Sequence, residues 1–178
     1  MKSSHAYFCL GLIAVAFAAA AGSAQMPAYT GSGPVPPAIP AAKTIFVSNT
    51  GADSGLFPEP FSGDQDRAYS EFYAALKANG AYTLVSDPGQ ADLVLELRLS
   101  YSYGPSNPSR LSGAGGPLPQ FELVVYDRKT HYILWTFTQL IDMALLQKNQ
   151  DRDFEQALSA VLARFLQIAG KAPGMPHS

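Results

Sequence analysis

Leucine occupies every second position from Leu93 to Leu99 in the stretch QADLVLELRLSYSY, alternating with Val94, Glu96, Arg98 and Ser100. A period of two sends successive side chains to opposite faces of a strand, so the leucines predict a covered face and the mostly polar set a wet one. On that wet face Glu96 and Arg98 are expected to be neighbours. Shorter β-branched and aromatic runs at 44–48, 82–86, 121–126 and 132–138 predict four more strands. The last two are joined across the turn sequence DRKTH, and the final strand runs on to about Asp142.

A different spacing marks two helices. Tyr69, Phe72, Tyr73 and Leu76 fall at i, i+3, i+4 and i+7, which predicts a helix over about 65–79, with Asp64 or Asp66 at its start and Gly80 at a left-handed exit. Phe154, Leu158, Val161, Leu162, Phe165 and Ile168 form a second stripe, inside DRDFEQALSAVLARFLQIAG. Asp151, Asp153 and Glu155 are placed at the positive end of that helix dipole, Arg164 and Lys171 near the negative end. The predicted architecture is α+β: a largely antiparallel sheet of four to five strands with two helices on one face, in the order β-α-β-β-β-β-α.

Composition adds limits. A chain of 178 residues, 47% hydrophobic and 15% charged, is sized for one core, and a formal net charge of -2 gives no basic field for nucleic acid. The opening MKSSHAYFCLGLIAVAFAAAAGSAQ reads as a secretory signal over 1–24, cut after Ala24. Its apolar run is shorter than the roughly 20 residues of a spanning helix, so no stable membrane span is expected after cleavage. The single cysteine, Cys9, precedes most of that run, which excludes a lipidated first residue and leaves the mature chain without a thiol. A Pro/Gly/Ala-rich linker is expected over 25–43, one domain over 44–170 and a disordered tail over 171–178. The expected location is the periplasm or the outside of the cell.

Two loops interrupt the pattern. The first, NTGADSGLFPEPFSGD, carries Leu56, Phe57 and Phe61 among its glycines and prolines; the second, over 104–120, follows Tyr101 and Tyr103 at the end of the long strand. These five residues are the candidates for partner binding. Trp135 fits a core position in a central strand. Catalytic chemistry finds no constellation: His131 sits in a turn, no GxSxG occurs, and the glycine-rich stretches match no phosphate-binding fingerprint. No metal site and no cofactor are expected. Asp53, Asp64 and Asp66 keep open a small carboxylate-dependent hydrolase or ligand-binding enzyme, provided they converge in one pocket.

The Asp92–Val94 run and the hairpin from Asp127 to Trp135, followed by the closing amphipathic helix, resemble small secreted and lipoprotein domains of the bacterial envelope. More distantly they resemble the amino-terminal domain of TolB and related assembly-factor folds. The resemblance covers roughly 43–169 and implies a binding or assembly role with an envelope protein or cell-wall component, without catalytic residues. It also puts His131 where many such hairpins carry glycine. The leading expectation is a non-enzymatic envelope binding or assembly-accessory domain; a structural protein pairing through a sheet edge is a further alternative, which requires an edge free of prolines and charges.

Overall fold

Strand β1 (Thr44–Ala52) lies between β2 (Thr83–Leu84) and β3 (Leu93–Ser102), parallel to both, and β4 (Leu118–Asp127) and β5 (Ile133–Leu140) complete the sheet antiparallel to their neighbours. The spatial order is β2-β1-β3-β4-β5. The computed structural model describes residues 33–102 and 117–171, all in the unit Ser32–Ser178; the expected signal, Tyr103 and most of the second loop lie outside them. The α+β class holds, and the order of elements along the chain holds apart from an added helix before β1, but the sheet is mixed, not largely antiparallel. Side-chain alternation reports that one face is wet, and β3 shows it while pairing parallel with β1 and antiparallel with β4.

The parallel half arises from the chain path. Helix α2 (Arg67–Asn79) carries the chain back so that β2 starts level with β1, and Gly80 closes the helix in the expected left-handed conformation, at φ 72°. A single 3₁₀ turn, Pro88–Gln90, then brings the chain into β3 on the other side of β1. Asp92 fixes this re-entry: its Oδ2 accepts from the backbone N–H groups of Lys43 (2.8 Å) and Thr44 (3.0 Å). Those two bonds hold its carboxyl below the ordinary range.

Leu93, Leu95, Leu97 and Leu99 all point inward, as the alternation requires, beside Ile45, Val47, Phe121, Leu123, Val125 and Phe137. Phe72 and Leu76 of α2 and Phe154, Leu158, Val161 and Phe165 of α3 (Gln147–Ile168) close over this layer. Each such burial contributes about 1.5–3 kcal/mol, which makes this one layer the main source of stability. The opposite face stays partly open, with Phe46, Val94, Tyr126 and Ile133 side by side across four strands.

Three local expectations change. The proline-rich stretch expected to be a linker up to Lys43 contains a short helix, α1 (Ala38–Ala41), with Ile39 wholly buried. Pro36 and Pro37 precede or cap it, where no backbone donor is needed. Helix α3 begins at Gln147, so Asp151, Asp153 and Glu155 lie beyond its first turn and do not serve its dipole. Lys171, expected in the disordered tail, donates from Nζ to the Ala42 carbonyl (2.6 Å) and stands 3.7 Å from the centre of the Tyr82 ring. It ties the segment that follows α3 to the residue that follows α1.

Candidate interaction edge

The large hydrophobic side chains that stay exposed among the described residues are Val35, Tyr132, Ile133, Leu140, Leu145 and Leu146. All but Val35 fall on β5 or its flanks. Tyr132 is 74% exposed, Leu145 80% and Leu146 66%, at the two ends of the edge strand. Local bonds fix these ends. Asp127 organises the hairpin, accepting at Oδ1 from the N–H groups of Lys129 (2.7 Å) and Thr130 (3.1 Å), while His131 takes the left-handed conformation at φ 60°. Ile141 is buried, and Gln150 Nε2 donates to the Ala144 carbonyl at 2.8 Å, so the turn carrying Leu145 and Leu146 is tied on both sides.

β5 has β4 on one side and, among the described residues, no strand on the other. The phase of its hydrogen bonds follows from Ile141, whose N–H donates to the Pro119 carbonyl at 2.8 Å. Residues 135, 137 and 139 therefore bond toward β4, and the peptide groups of Thr136, Thr138 and Leu140 point outward. Two of the outward carbonyls accept side chains: Thr138 from Arg164 Nη1 (3.2 Å) and Leu140 from Gln139 Nε2 (3.1 Å). From Tyr132 to Leu146 the only charged residue is Asp142, and β5 has no proline. This is the edge that the strand-pairing reading required.

The described sequence candidates lie in and beside the first loop, which meets the start of α3: Gln147 Nε2 donates to the Pro58 carbonyl at 3.1 Å. Leu56 and Phe61 are wholly buried, which corrects their assignment to a partner surface: the loop folds its apolar side chains back onto α3. Phe57 packs partly buried, its ring 6.2 Å from Phe61 and 6.3 Å from Phe154. Tyr101 is partly buried and donates its hydroxyl to the Gly55 carbonyl at 3.2 Å. Tyr103 lies outside the described residues. Arg67 locks this corner. Its guanidinium reaches Glu71 (2.7 Å), Asp151 (2.5 Å) and the Ser62 carbonyl (2.9 Å), and lies 4.4 Å from the centre of the Phe154 ring. Burial works against a charged Asp151, yet the Arg67 and Ser62 hydrogen bonds outweigh it and hold the carboxyl low.

The three carboxylates of the hydrolase alternative each have a structural partner. Asp53 accepts from the Tyr101 N–H and from Arg98 Nη2, both at 3.0 Å, and its carboxyl is held low first by Tyr101 and then by Arg98. Arg98 thus pairs across the chain with Asp53, where Glu96 was the expected neighbour. Asp64 accepts from the Asp66 N–H (3.0 Å), and Asp66 from Asn49 Nδ2 (2.7 Å) in place of a helix N–H. Among the described residues no three His, Cys, Asp or Glu side chains are grouped to hold a metal ion, and no helix is long and apolar enough to cross a membrane.

The surface that sequence reasoning missed is Tyr132, Ile133, Leu140, Leu145 and Leu146. Its signal is the near absence of charge in YILWTFTQLIDMALL. By sequence that run fits a central, buried strand; β5 is instead an edge strand, with Trp135 only partly buried beside Phe137.

No family model and no curated protein matches this chain. Among solved structures, it is similar to a PelC dodecamer from Paraburkholderia phytofirmans, at 16% identity and TM-score 0.42, over 77% of this chain and 93% of that one. It is similar to the LpoB C-terminal domain from Salmonella enterica at 15% identity and TM-score 0.37, over 57% and 83%. A hypothetical protein from Chlamydia trachomatis gives 9% identity and TM-score 0.47, over 72% and 98%. At TM-scores below 0.5 these likenesses carry no weight for the partners or chemistry of this chain.

Proposed function

We propose that the chain is an exported, non-enzymatic binding or assembly-accessory domain of a bacterial cell envelope, working in the periplasm or outside the cell. It engages its partner through the β5 edge. The observation that carries this reading is that Tyr132, Ile133, Leu140, Leu145 and Leu146 stand exposed on and at both ends of a strand with no charge and no proline. An unpaired strand edge without charge or proline, flanked by exposed apolar residues, offers a place for another strand. The signal-like opening of the sequence supports export. An envelope protein fits this surface better than a cell-wall component, because outward peptide groups and aliphatic side chains match another polypeptide. The carboxylate enzyme has less support, since Asp53, Asp64 and Asp66 are each engaged in holding loops.

The test is site-specific photocrosslinking in living cells. A photoreactive residue at Leu145 is expected to yield discrete adducts in the envelope fraction, while the same residue at Lys77, the last turn of α2, yields none. Equal labelling from both positions, or none from Leu145, rules out the edge as the contact surface.

A further inference from the structure

We infer that the occupant of the β5 edge is β5 of a second copy of this chain, paired antiparallel about a two-fold axis. This inference rests on the binding reading above and names its partner. Natural sheets blunt their edges with charges, prolines or short strands. β5 uses none of these over its eight residues. What blunts it is Arg164, reaching from α3 to the outward carbonyl of Thr138, and a register shift against β4 between Ile133 and Trp135.

Self-complementarity favours a second copy over an unrelated strand. The outward peptide groups recur at Thr136, Thr138 and Leu140, so an antiparallel copy can set Thr136 of each protomer against the partner's Thr138 and exchange both backbone bonds. The Thr138 carbonyl then accepts from a peptide N–H instead of from Arg164. In that register Leu140 of each protomer faces the partner's Leu134, next to the partner's Ile133, so each apolar end covers the other. Charge permits the approach: with no ionised group on β5, two copies place no like charges opposite each other along the strand. A charged foreign strand would find no counter-charge here.

Analytical ultracentrifugation of the protein as recovered from expressing cells decides the matter, alongside thermal unfolding of each variant. The expected result is a concentration-dependent dimer. Thr136→Pro removes an outward donor without touching the β4 ladder, and Thr138→Lys places a cation on the wet face close to its two-fold mate. Each is expected to give a folded monomer. Should Thr136→Pro fail to fold, Thr138→Lys decides alone. Arg164→Gln removes the guard and is expected to tighten the dimer several-fold. Mixed Ile133→Cys and Leu140→Cys proteins should join through a short bis-maleimide more readily than either alone.

A monomer at all concentrations, or a dimer unchanged by folded Thr136→Pro and Thr138→Lys, overturns the inference. Adducts from Leu145 to a different protein, with this chain monomeric, would overturn the second copy and leave the binding reading standing. A monomer without adducts removes both.

Discussion

The corner built from the first loop, α2 and α3 and the edge built from β5 are alike in apolar content and opposite in fate. At the corner, Leu56, Phe57 and Phe61 fold under α3, and the rings of Phe61 and Phe121 lie 5.2 Å and 5.0 Å from Phe154. Arg67 then covers Phe154 and ties Ser62, Glu71 and Asp151 together. At the edge, Arg164 reaches the Thr138 carbonyl and leaves Tyr132, Ile133, Leu140, Leu145 and Leu146 in solvent. The difference is in what closes each region. A cation with several acceptors around it seals an apolar loop; a cation laid against a strand carbonyl leaves the edge open to exchange.

The largest way to break this contrast is Phe154→Ala. Removing the ring at the centre of the sealed corner is expected to cost about 3–5 kcal/mol, a fall of roughly 10 °C in Tm. Leu145→Ser is expected to change stability by less than about 0.5 kcal/mol, because its side chain leaves no cavity. Chemical denaturation of the two variants side by side measures both, and comparable losses would show that Leu145 is a folding residue.

Arg67→Met comes next. The methionine keeps part of the packing on Phe154 but leaves Asp151 and the Ser62 carbonyl without their guanidinium, at an expected cost of about 2–3 kcal/mol. Urea unfolding reads the loss, and limited proteolysis should cut the 53–66 loop first. An unchanged midpoint would mean that the apolar contacts alone hold the corner shut.

Much of this contrast escapes a reader of the sequence, for physical reasons that differ by element. The leucines of β3 and the stripes of α2 and α3 are legible because one periodic pattern faces one covered side. Mixed pairing is not, because the direction of β1 against β3 leaves no trace in alternation. Leu56 and Phe61 have the sequence surroundings of exposed loop residues; they are buried because Arg67, close in sequence, brings the far-off Asp151 against Ser62. β5 has the sequence of a buried strand because it lacks charge, yet among the described residues it stands at the edge of the sheet. Lack of charge is common to central and edge strands, and only position in the sheet separates them.

Acid should act on the closed parts of the fold. Asp53, Asp92 and Asp151 all have carboxyls held below the ordinary value of 3.8, each by bonds to backbone N–H groups or arginine. Their stabilisation is complete above that unfolded value and is lost as pH falls through the lower folded ones. The unfolding free energy is therefore expected to be flat above about pH 5 and to decline below pH 3.8. Asp92→Asn, which keeps the shape but weakens the bonds to Lys43 and Thr44, should lower the plateau and flatten the decline. A decline as steep as in the unaltered chain would assign the acid sensitivity to other groups.

The smallest expected effect lies at the turn leading into the open edge. His131 holds φ 60°, a conformation that costs a side chain bearing a Cβ about 1 kcal/mol, and glycine removes that strain while losing about half of the gain to its freer unfolded chain. His131→Gly is accordingly expected to stabilise the fold by about 0.5 kcal/mol, a rise of about 1–2 °C in Tm. The register of β4 with β5 should not move, because Asp127 builds the turn through its own carboxylate and through its carbonyl, which accepts from the residue 131 N–H at 2.8 Å. Association through β5 should therefore be unaltered in the same variant. A loss of stability, or a loss of dimer with stability raised, would assign the imidazole a contact of its own at the edge, beyond the backbone conformation that the turn demands.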